Sequence, residues 1–297
     1  MQRDTVTGKL NISRQKMTRH NPDSIEVAYL GPRGTFSHLV AEKRFGKKNK
    51  EIALPTILDV CQHISGNRHR KAIVPIENSS GGAIYETIDI LLENKPRVYI
   101  DEELTLNVQI ALLGRKGEKI KTLYSHFAPL EHCNTWLKAN LKGVEHRVVA
   151  STAAAALRAA GEMNAAALGG RHLARLYNLN VLRYPVEADL PNVTLFLVLS
   201  GTKTEPEKPE KTTLAVRVLN TPGGLCDFLE TFKSQNVNLS RLISRPIRGC
   251  PRQYAFLVDI EGGISRPQVK QALRLARKKS ASLRVVASYP RRKPYRS

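Results

Sequence analysis

Short polar loops that stand between a β-rich run and an apolar helical pattern are the residues of this chain best suited to chemistry. The longest is 77–82, Glu-Asn-Ser-Ser-Gly-Gly, and shorter loops with Ser, Thr or Gly stand at 31–37, 125–126 and 151–152. A helix start exposes unpaired backbone N–H groups and the positive end of the helix dipole, which together bind small anions such as carboxylates. Several such loops at one crevice would form a small-anion site.

Helix capping is the alternative explanation of each loop, because Ser, Thr and Asn are also good N-caps. The loop 77–82 offers more polar groups and more backbone freedom than a cap requires. Thr194 is a further candidate, since it ends the polar turn 191–194 ahead of the apolar run 195–199. On the pattern alone, however, a β-branched threonine at a strand start is explained as a β-former with no other role.

Other kinds of site lack support in the sequence. It contains no Walker loop, no GxGxxG motif, no nucleophile elbow and no metal-ligand spacing. The four cysteines lie far apart, which argues against a zinc knuckle or a disulfide framework and fits a reducing cytoplasm. No apolar run reaches the roughly 18–20 residues of a membrane span. We therefore expect a cytoplasmic protein with no metal site and no membrane segment.

The net charge of +21, from 47 Lys and Arg against 26 Asp and Glu, points to a nucleic-acid or anionic-surface partner. Its distribution weakens that interpretation, because the segment 270–297 carries ten basic residues and no acidic residue. Charge runs of this kind are typical of solvated chain ends. No helix-turn-helix, RNP or finger pattern occurs, so nucleic acid is not the expected partner.

The sequence divides into two domains joined by a linker. Residues 201–211 contain two prolines, alternating charge and no large apolar side chain, which is typical of an exposed linker. The expected organisation is a disordered basic extension at 1–24, a first domain at 25–200, the linker at 201–211, a second domain at 212–290 and a basic tail at 291–297.

The two domains show different orders of strands and helices. The first repeats a β-rich run, a polar loop and a helix, which predicts an α/β architecture with one helix carrying the apolar residues of 130–141. The second predicts strand 212–219, helix 224–234, strand 239–245, strand 253–260, helix 267–279 and strand 282–289. That order, βαββαβ, is ferredoxin-like.

The polar loops of the first domain resemble motifs of prephenate dehydratases. Residues 29–38, Tyr-Leu-Gly-Pro-Arg-Gly-Thr-Phe-Ser-His, resemble the opening motif of that family, and 74–79 with 86–89 resemble the second. Further matches follow in order at 124–133, 151–153 and 192–199. The resemblance covers roughly 25–290. It implies a catalytic domain of two α/β lobes around a cleft, like a periplasmic binding protein.

The second domain is similar to the ACT regulatory domain of the same enzymes. Residues 222–225, Pro-Gly-Gly-Leu, stand where the family has Pro-Gly-Ala-Leu, and 244–246 match the end of its Glu-Ser-Arg-Pro motif. The resemblance implies an amino-acid effector such as phenylalanine, bound by Gly223, Gly224, Leu225, Ser244, Arg245 and Pro246. Because such a sheet has open edges that usually pair between chains, we expect a homodimer or homotetramer.

The resemblance implies the conversion of prephenate into phenylpyruvate, water and carbon dioxide, a step of phenylalanine biosynthesis. The family's proton donor to the leaving hydroxyl corresponds to Thr194, and aromatisation supplies the driving force without a metal or another cofactor. By position, the residues implied to line the substrate cleft are Glu77, Asn78, Ser79, Ser125 and Thr152, with Thr35 and Ser37 as further candidates. The two carboxylates of prephenate suit a cleft lined by helix starts.

Five positions depart from the family pattern within these motifs, and Gly224 in place of alanine is the mild one, since a glycine still allows close backbone approach. Leu195 replaces an arginine after the implied proton donor, Gly81 replaces an acidic residue, and His132 replaces a glutamine. Ile243 replaces the glutamate of the regulatory motif, and an apolar side chain cannot accept a hydrogen bond from an effector. Two alternatives therefore accompany the dehydratase prediction. One is a diverged enzyme, either an arogenate dehydratase or a non-aromatising prephenate decarboxylase, and the other is a non-catalytic anion-binding or regulatory protein.

Overall fold

Two lobes and a second domain make up the described part of the chain. The structure is a computed structural model that describes residues 25–46, 49–204 and 208–297. The basic extension expected at 1–24 lies outside the described residues. Within the described ranges, no helix is both long and apolar enough to cross a membrane.

Lobe 1, residues 25–107 and 193–204, is built on a mixed sheet. Its elements are β1 (Glu26–Leu30), α1 (Phe36–Phe45), β2 (Lys50–Leu54), α2 (Ile57–Ile64), β3 (Arg70–Asn78), β4 (Gly82–Ala83), α3 (Tyr85–Glu93), β5 (Tyr99–Asn107) and β11 (Val193–Ser200). The strand β1 pairs in parallel with β2 and β3, and β11 runs antiparallel between β3 and β5. The strands are apolar on both sides because helices cover both faces of the sheet.

Lobe 2, residues 111–183, carries the other polar loops. Its elements are β6 (Ala111–Gly114), β7 (Thr122–Ser125), α4 (Phe127–His132), α5 (Asn134–Asn140), β8 (Glu145–Val148), α6 (Thr152–Gly161), β9 (Ala165–Gly169), α7 (Leu173–Leu176) and β10 (Asn180–Arg183). The sheet order is β10-β6-β9-β7-β8, and β7 pairs in parallel with β8 and β9. Four alanines of α6 are buried, at 153, 155, 156 and 159, which lets this helix approach the sheet closely.

Two segments, 108–110 and 184–192, carry the chain from lobe 1 to lobe 2 and back. They lie side by side, since Val108 N–H donates to Asn192 O and Val186 N–H donates to Ile110 O, each at 2.8 Å. The start of β11 therefore lies at the boundary between the lobes. This part of the chain has the α/β architecture and the two lobes that the sequence predicts.

The second domain has the element order βαββαβ. Its elements are β12 (Lys211–Val218), α8 (Gly224–Lys233), β13 (Leu239–Pro246), β14 (Tyr254–Glu261), α9 (Pro267–Lys278) and β15 (Ser280–Tyr289), with the antiparallel sheet order β13-β14-β12-β15. The helices cover one face of the sheet. The other face packs on lobe 1, where Leu257 and Tyr289 join the apolar cluster of α2 and α3. Arg284 also donates to the carbonyls of Leu91 and Leu92 at the end of α3.

The helix predicted across 130–141 is instead two helices, α4 and α5, which meet at the buried Cys133. The carbonyl of His132 accepts the N–H of Asp189 at 2.7 Å, and the Asp189 carboxylate accepts the N–H of Thr135 at 3.2 Å. These bonds from a distant segment satisfy the backbone groups that are freed at the break. The prediction of one continuous helix was wrong because local periodicity contains no information about Asp189.

Two predicted boundaries differ from the structure. The strand β12 begins at Lys211, inside the predicted linker, because buried carboxylates neutralise the Lys211 ammonium. The basic tail 291–297 packs along lobe 1, where β16 (Tyr295–Arg296) pairs in parallel with β5 and Arg292 pairs with Glu102. The full sheet order of lobe 1 is β16-β5-β11-β3-β1-β2, with β4 beside β3.

Candidate active site

A hydrogen-bonded cluster joins the end of β3 to the start of β11. The Asn78 side-chain nitrogen donates to Thr194 Oγ1 at 2.8 Å and to Asn192 Oδ1 at 2.9 Å. Thr194 is only 9% exposed, so its hydroxyl is fixed in place and largely shielded from water. Because Thr194 Oγ1 accepts from Asn78, the hydroxyl proton of Thr194 remains available to a bound molecule. The arrangement suits a proton donor.

The loop that follows β3 is held to β11 by the side chains that the sequence singles out. Asn78 Oδ1 accepts the N–H groups of residues 80–81 at 3.0 and 2.9 Å. Ser79 Oγ donates to Pro191 O and accepts from Val193 N–H, both at 2.9 Å. The amide of Asn78 and the hydroxyl of Ser79 therefore fix the shape of this loop against β11.

A β-bulge in β3, where it pairs with β11, sets the direction of the Glu77 side chain. Leu195 lies opposite Glu77 and Phe196 lies opposite Pro75, so Ile76 is an extra residue in β3. Bulges of this kind redirect side chains and are frequent beside active sites. The Glu77 carboxylate remains 40% exposed, and its Oε2 accepts a hydrogen bond from Arg241 Nε of the second domain at 2.9 Å.

Residues 86–89, the second half of the matched motif, anchor this bulge. Thr87 is buried, and its hydroxyl donates to Pro75 O at 2.6 Å. The Glu86 carboxylate accepts the N–H of Leu58 at 3.0 Å at the start of α2. The motif thus fixes the backbone of β3 and the start of α2 relative to α3.

Helix starts form the second set of polar groups. The side chains of Thr35 and Ser151 accept backbone N–H groups at 3.3 and 3.0 Å, and so cap α1 and α6. Thr152 is the first residue of α6, and the fully buried Ser125 ends β7 and donates to His126 O at 2.8 Å. His126 caps α4 through Nδ1, and burial lowers its pKa, which favours the neutral ring that capping requires.

The loop before α1 touches lobe 2 at Gly34. Gly34 has φ +93°, and a Cβ there would lie 2.8 Å from side-chain atoms of Leu173 and Leu176 and 3.5 Å from Ala153 of α6. His172 Nε2 donates to Gly34 O at 2.9 Å, and burial lowers the pKa of His172, so the ring is neutral near pH 7. The starts of α1 and α6 therefore approach each other across the boundary between the lobes.

The family model for prephenate dehydratase matches residues 27–204 of the chain, which span both lobes. The chain belongs to the prephenate dehydratase family. A bifunctional chorismate mutase/prephenate dehydratase from Pseudomonas aeruginosa is 33% identical over 90% of this chain and 73% of its own length. The protein of the same name from Aquifex aeolicus is 34% identical over 90% of this chain and 74% of its own length. The prediction of a prephenate dehydratase family enzyme is confirmed.

Solved structures of similar proteins extend the likeness to nearly the whole chain. A prephenate dehydratase from Arthrobacter aurescens, in complex with L-Phe, has a TM-score of 0.81 and 29% identity, and covers 91% of this chain and 92% of its own. A protein described as a novel type of quorum-quenching acylase has a TM-score of 0.80 and 26% identity, and covers 90% of this chain and 98% of its own. The mixed α/β fold expected from the family resemblance is confirmed.

The predicted site residues of this prephenate dehydratase family member fall into two groups. One, at the end of β3 and the start of β11, contains Asn78, Ser79 and Thr194, with Glu77 next to them along the strand and bonded to Arg241 of the second domain. The other, at the strand ends and helix starts, contains Thr35, Ser37, Ser125 and Thr152. All of these residues are described, and no hydrogen bond or ion pair joins one group to the other.

The predicted effector residues lie at one end of the second-domain sheet. Gly223 has φ +77°, and a Cβ on Gly224 would lie 2.2 Å from the carbonyl oxygen of Leu219, so this backbone has no room for the alanine of the family pattern. Leu225 lines a cavity of about 450 Å³ at this end. The replacement of alanine by Gly224, which the sequence alone treats as mild, is therefore a requirement of this backbone.

Arg245 faces lobe 1. Its guanidinium donates to both carboxylate oxygens of Asp89 at 2.6 and 2.7 Å, and lies 4.4 Å from the centre of the Tyr85 ring. The bond to Asp89 raises the pKa of Arg245. Arg245 and Pro246 line a cavity of about 230 Å³ between α3 and the sheet, whereas Ser244 is exposed.

Two of the residues that depart from the family pattern lie in the same apolar contact. Leu195 and Ile243 both pack against the apolar cluster that joins α2, α3 and the second domain. Their apolar side chains contribute to this contact. His132 is 3% exposed, and its Nε2 has no hydrogen-bond partner within the described residues.

His38, Glu42 and Glu51 bring potential metal ligands together within the described residues. His38 Nδ1 accepts the N–H of Gly34 at 3.2 Å, which places the ring proton on Nε2. His38 Nε2 then donates to Glu51 Oε2 at 3.1 Å. A nitrogen that carries the proton offers no lone pair to a metal, so this geometry is that of a hydrogen-bonded histidine.

The charged residues that connect the two domains next to Glu77 were not predicted from the sequence. These are Glu103, Lys211, Arg241 and Asp259, all buried. Arg241 is 164 residues from Glu77 along the chain. No spacing rule relates positions in separate domains. The sequence feature that could have indicated these residues is the presence of charged side chains within β-rich runs.

Proposed function

We propose that this chain is a prephenate dehydratase, which converts prephenate into phenylpyruvate, water and carbon dioxide. The observation that carries the proposal is the hydroxyl of Thr194, fixed through its oxygen by Asn78 and with its proton free, in a member of this family. The loop at 79–82 is bonded to the same Asn78 side chain. A shielded and oriented hydroxyl is what a general acid without a metal requires.

In the proposed reaction, the bond from the ring to its carboxylate breaks, and the electron pair moves into the ring as carbon dioxide leaves. The bond to the ring hydroxyl breaks at the opposite carbon, and that oxygen takes the Thr194 proton and leaves as water. Negative charge develops on Thr194 Oγ1, where the Asn78 N–H already donates at 2.8 Å. A donor placed beforehand where charge develops lowers the barrier without reorganisation. Solvent then returns a proton to Thr194.

The substrate carboxylates would bind at the helix starts. Ser125, Thr152, Thr35 and Ser37 stand near the starts of α4, α6 and α1, where N–H groups and the helix dipole favour anions. Glu77, Asn78 and Ser79 would contact the substrate from the opposite group. Closure of the lobes about the segments 108–110 and 184–192 would bring the two groups onto one molecule.

The second domain, assigned to 212–290, would be an ACT regulatory domain, with 25–200 as the catalytic domain. The βαββαβ order and the likeness over 91% of the chain to a dehydratase in complex with L-Phe support this assignment. The proposed effector is phenylalanine, bound by Gly223, Gly224, Leu225, Ser244, Arg245 and Pro246. We further propose that the protein is cytoplasmic and forms a homodimer or homotetramer.

The test is product analysis with the purified chain, supplied with either prephenate or arogenate. Phenylpyruvate from prephenate, detected by its absorbance in alkali, is the expected result. Phenylalanine from arogenate in preference would indicate an arogenate dehydratase. Carbon dioxide release without an aromatic product would indicate the decarboxylase, and the absence of any turnover would favour a binding protein.

A further inference from the structure

A set of buried charges lies where the second domain meets lobe 1. Lys211 on β12 and Arg241 on β13 face Glu103 on β5 and Asp259 on β14, and each of these four side chains is at most 5% exposed. Lys211 Nζ lies 2.9 Å from both Glu103 oxygens and 3.4 Å from Asp259. Arg241 pairs with Asp259 and lies 3.7 Å from Glu103. These contacts connect lobe 1 to three strands of the second domain.

The four charges balance without Glu77. Two cations face two carboxylates, and Thr213 satisfies Asp259 further with a hydrogen bond of 2.6 Å. Burial by itself lowers the pKa of Arg241, but the neighbouring carboxylates raise it overall, so the guanidinium stays charged. Its bond to Glu77 is therefore additional to what the buried set needs for neutrality.

The bond between Arg241 and Glu77 joins a buried group of the second domain to the strand that carries Asn78. The Arg241 side chain is 4% exposed, whereas that of Glu77 is 40% exposed. Leu195, the residue opposite Glu77 on β11, is apolar and supplies no charge. Within the described residues, Arg241 is the cation that pairs with Glu77. The orientation of the Glu77 carboxylate thus depends on a residue of the second domain.

We propose that Arg241 is a positioning residue of the active site, which holds the end of β3 in place through the Glu77 carboxylate, so that the second domain fixes the position of the neighbouring Asn78 and its bond to Thr194. This inference rests on the proposed function, because its main readout is turnover of prephenate. Any displacement of β13 relative to β3 would then act on Glu77 directly.

Two double variants that each remove one positive and one negative buried charge test this inference. R241M/D259N removes the contact with Glu77 and leaves Lys211 paired with Glu103. The matched control, K211M/E103Q, keeps Arg241 paired with Asp259 and Glu77. Both variants lose buried ion pairs, so thermal unfolding shows whether their stabilities are comparable.

We expect R241M/D259N to lower kcat for prephenate about ten- to a hundredfold, as small displacements of catalytic groups do. Its KM should rise by a smaller factor than kcat falls, because the helix starts that bind carboxylates are untouched. K211M/E103Q should keep the kcat of the unaltered chain. A folded R241M/D259N with unchanged kcat, or an equal loss in both variants, would overturn the inference.

The single variant R241K covers the case in which R241M/D259N does not fold. It keeps the charge, but one ammonium cannot reproduce the separate bonds of Nε to Glu77 and of the guanidinium end to Asp259. The expected result is a folded protein with the same fall in kcat, and full kcat in R241K would contradict the inference. If the unaltered chain does not turn over prephenate, the proposed function fails instead, which separates the two failures.

Discussion

Asn78 uses every hydrogen-bonding atom of its side chain, and this explains its place beside the proposed proton donor. Its oxygen accepts the N–H groups of residues 80–81 and its nitrogen donates to Asn192 and Thr194. The oxygen side shapes the loop, and the nitrogen side fixes the Thr194 hydroxyl. The two roles are separable by substitution because they belong to different atoms.

Asn78→Asp keeps the acceptor that shapes the loop and removes the donor that faces Thr194. We expect kcat to fall by about 10²–10³, because a lost donor can no longer stabilise charge on Thr194 Oγ1 and a carboxylate repels it. Asn140→Asp is the control, since it also loses a side-chain N–H donation, to Trp136 O, on an exposed helix away from the site. Equal kcat values for the two variants would remove Asn78 from the mechanism.

Strand ends and helix starts position the site, and these were the elements that the sequence described best. The polar residues of 31–37, 77–82 and 151–152 do fall where strands end or helices start, because capping and hydrophobic periodicity are local properties. The bulge in β3 was not predictable, since it is set by pairing with β11, more than a hundred residues later. The same holds for the break between α4 and α5 at Cys133.

Gly34→Ala should lower the free energy of unfolding by more than the strain of a positive φ alone, because it also disturbs the contact between the lobes. Gly46→Ala is the control, because Gly46 has φ +76° and no atom of the described residues within 4 Å of a Cβ. The backbone strain costs each variant about 1–3 kcal/mol. Gly34→Ala must also displace Leu173 and Leu176, which adds about 1–3 kcal/mol.

Urea unfolding of both glycine variants measures this difference in free energy. We also expect a raised KM for prephenate in Gly34→Ala alone, since only this position lies between the lobes. Equal losses of stability in the two variants would show that the contact at Gly34 does not hold the lobes together.

At the scale of the whole molecule, several ion pairs hold the second domain and the C-terminal tail on lobe 1. Arg245 with Asp89, Arg241 with Glu77 and Arg292 with Glu102 all connect the C-terminal third of the chain to lobe 1. The sequence showed the excess of positive charge but not its partners, which lie 156 to 190 residues away. The tail at 291–297 was therefore assigned as a solvated end, whereas the structure pairs it with β5.

The open edge of the second-domain sheet leads to a prediction about assembly. In the described residues, β13 pairs with β14 on one side and with no strand on the other, and Leu242 on it is 42% exposed. A free strand edge of this kind is a template for pairing between chains. Light scattering at micromolar concentration should give the mass of a dimer or tetramer, and a monomer would contradict the proposal.

The role of Thr194 as proton donor is tested most directly by comparing phenylpyruvate formation in Thr194→Val and Thr194→Ser. Valine keeps the shape and removes the hydroxyl, while Asn78 retains Asn192 as a partner; serine keeps the hydroxyl. We expect Thr194→Val to lose about 10²–10⁴ in kcat with its fold intact and Thr194→Ser to keep measurable turnover. A folded Thr194→Val that forms phenylpyruvate at the rate of the unaltered chain would contradict this role.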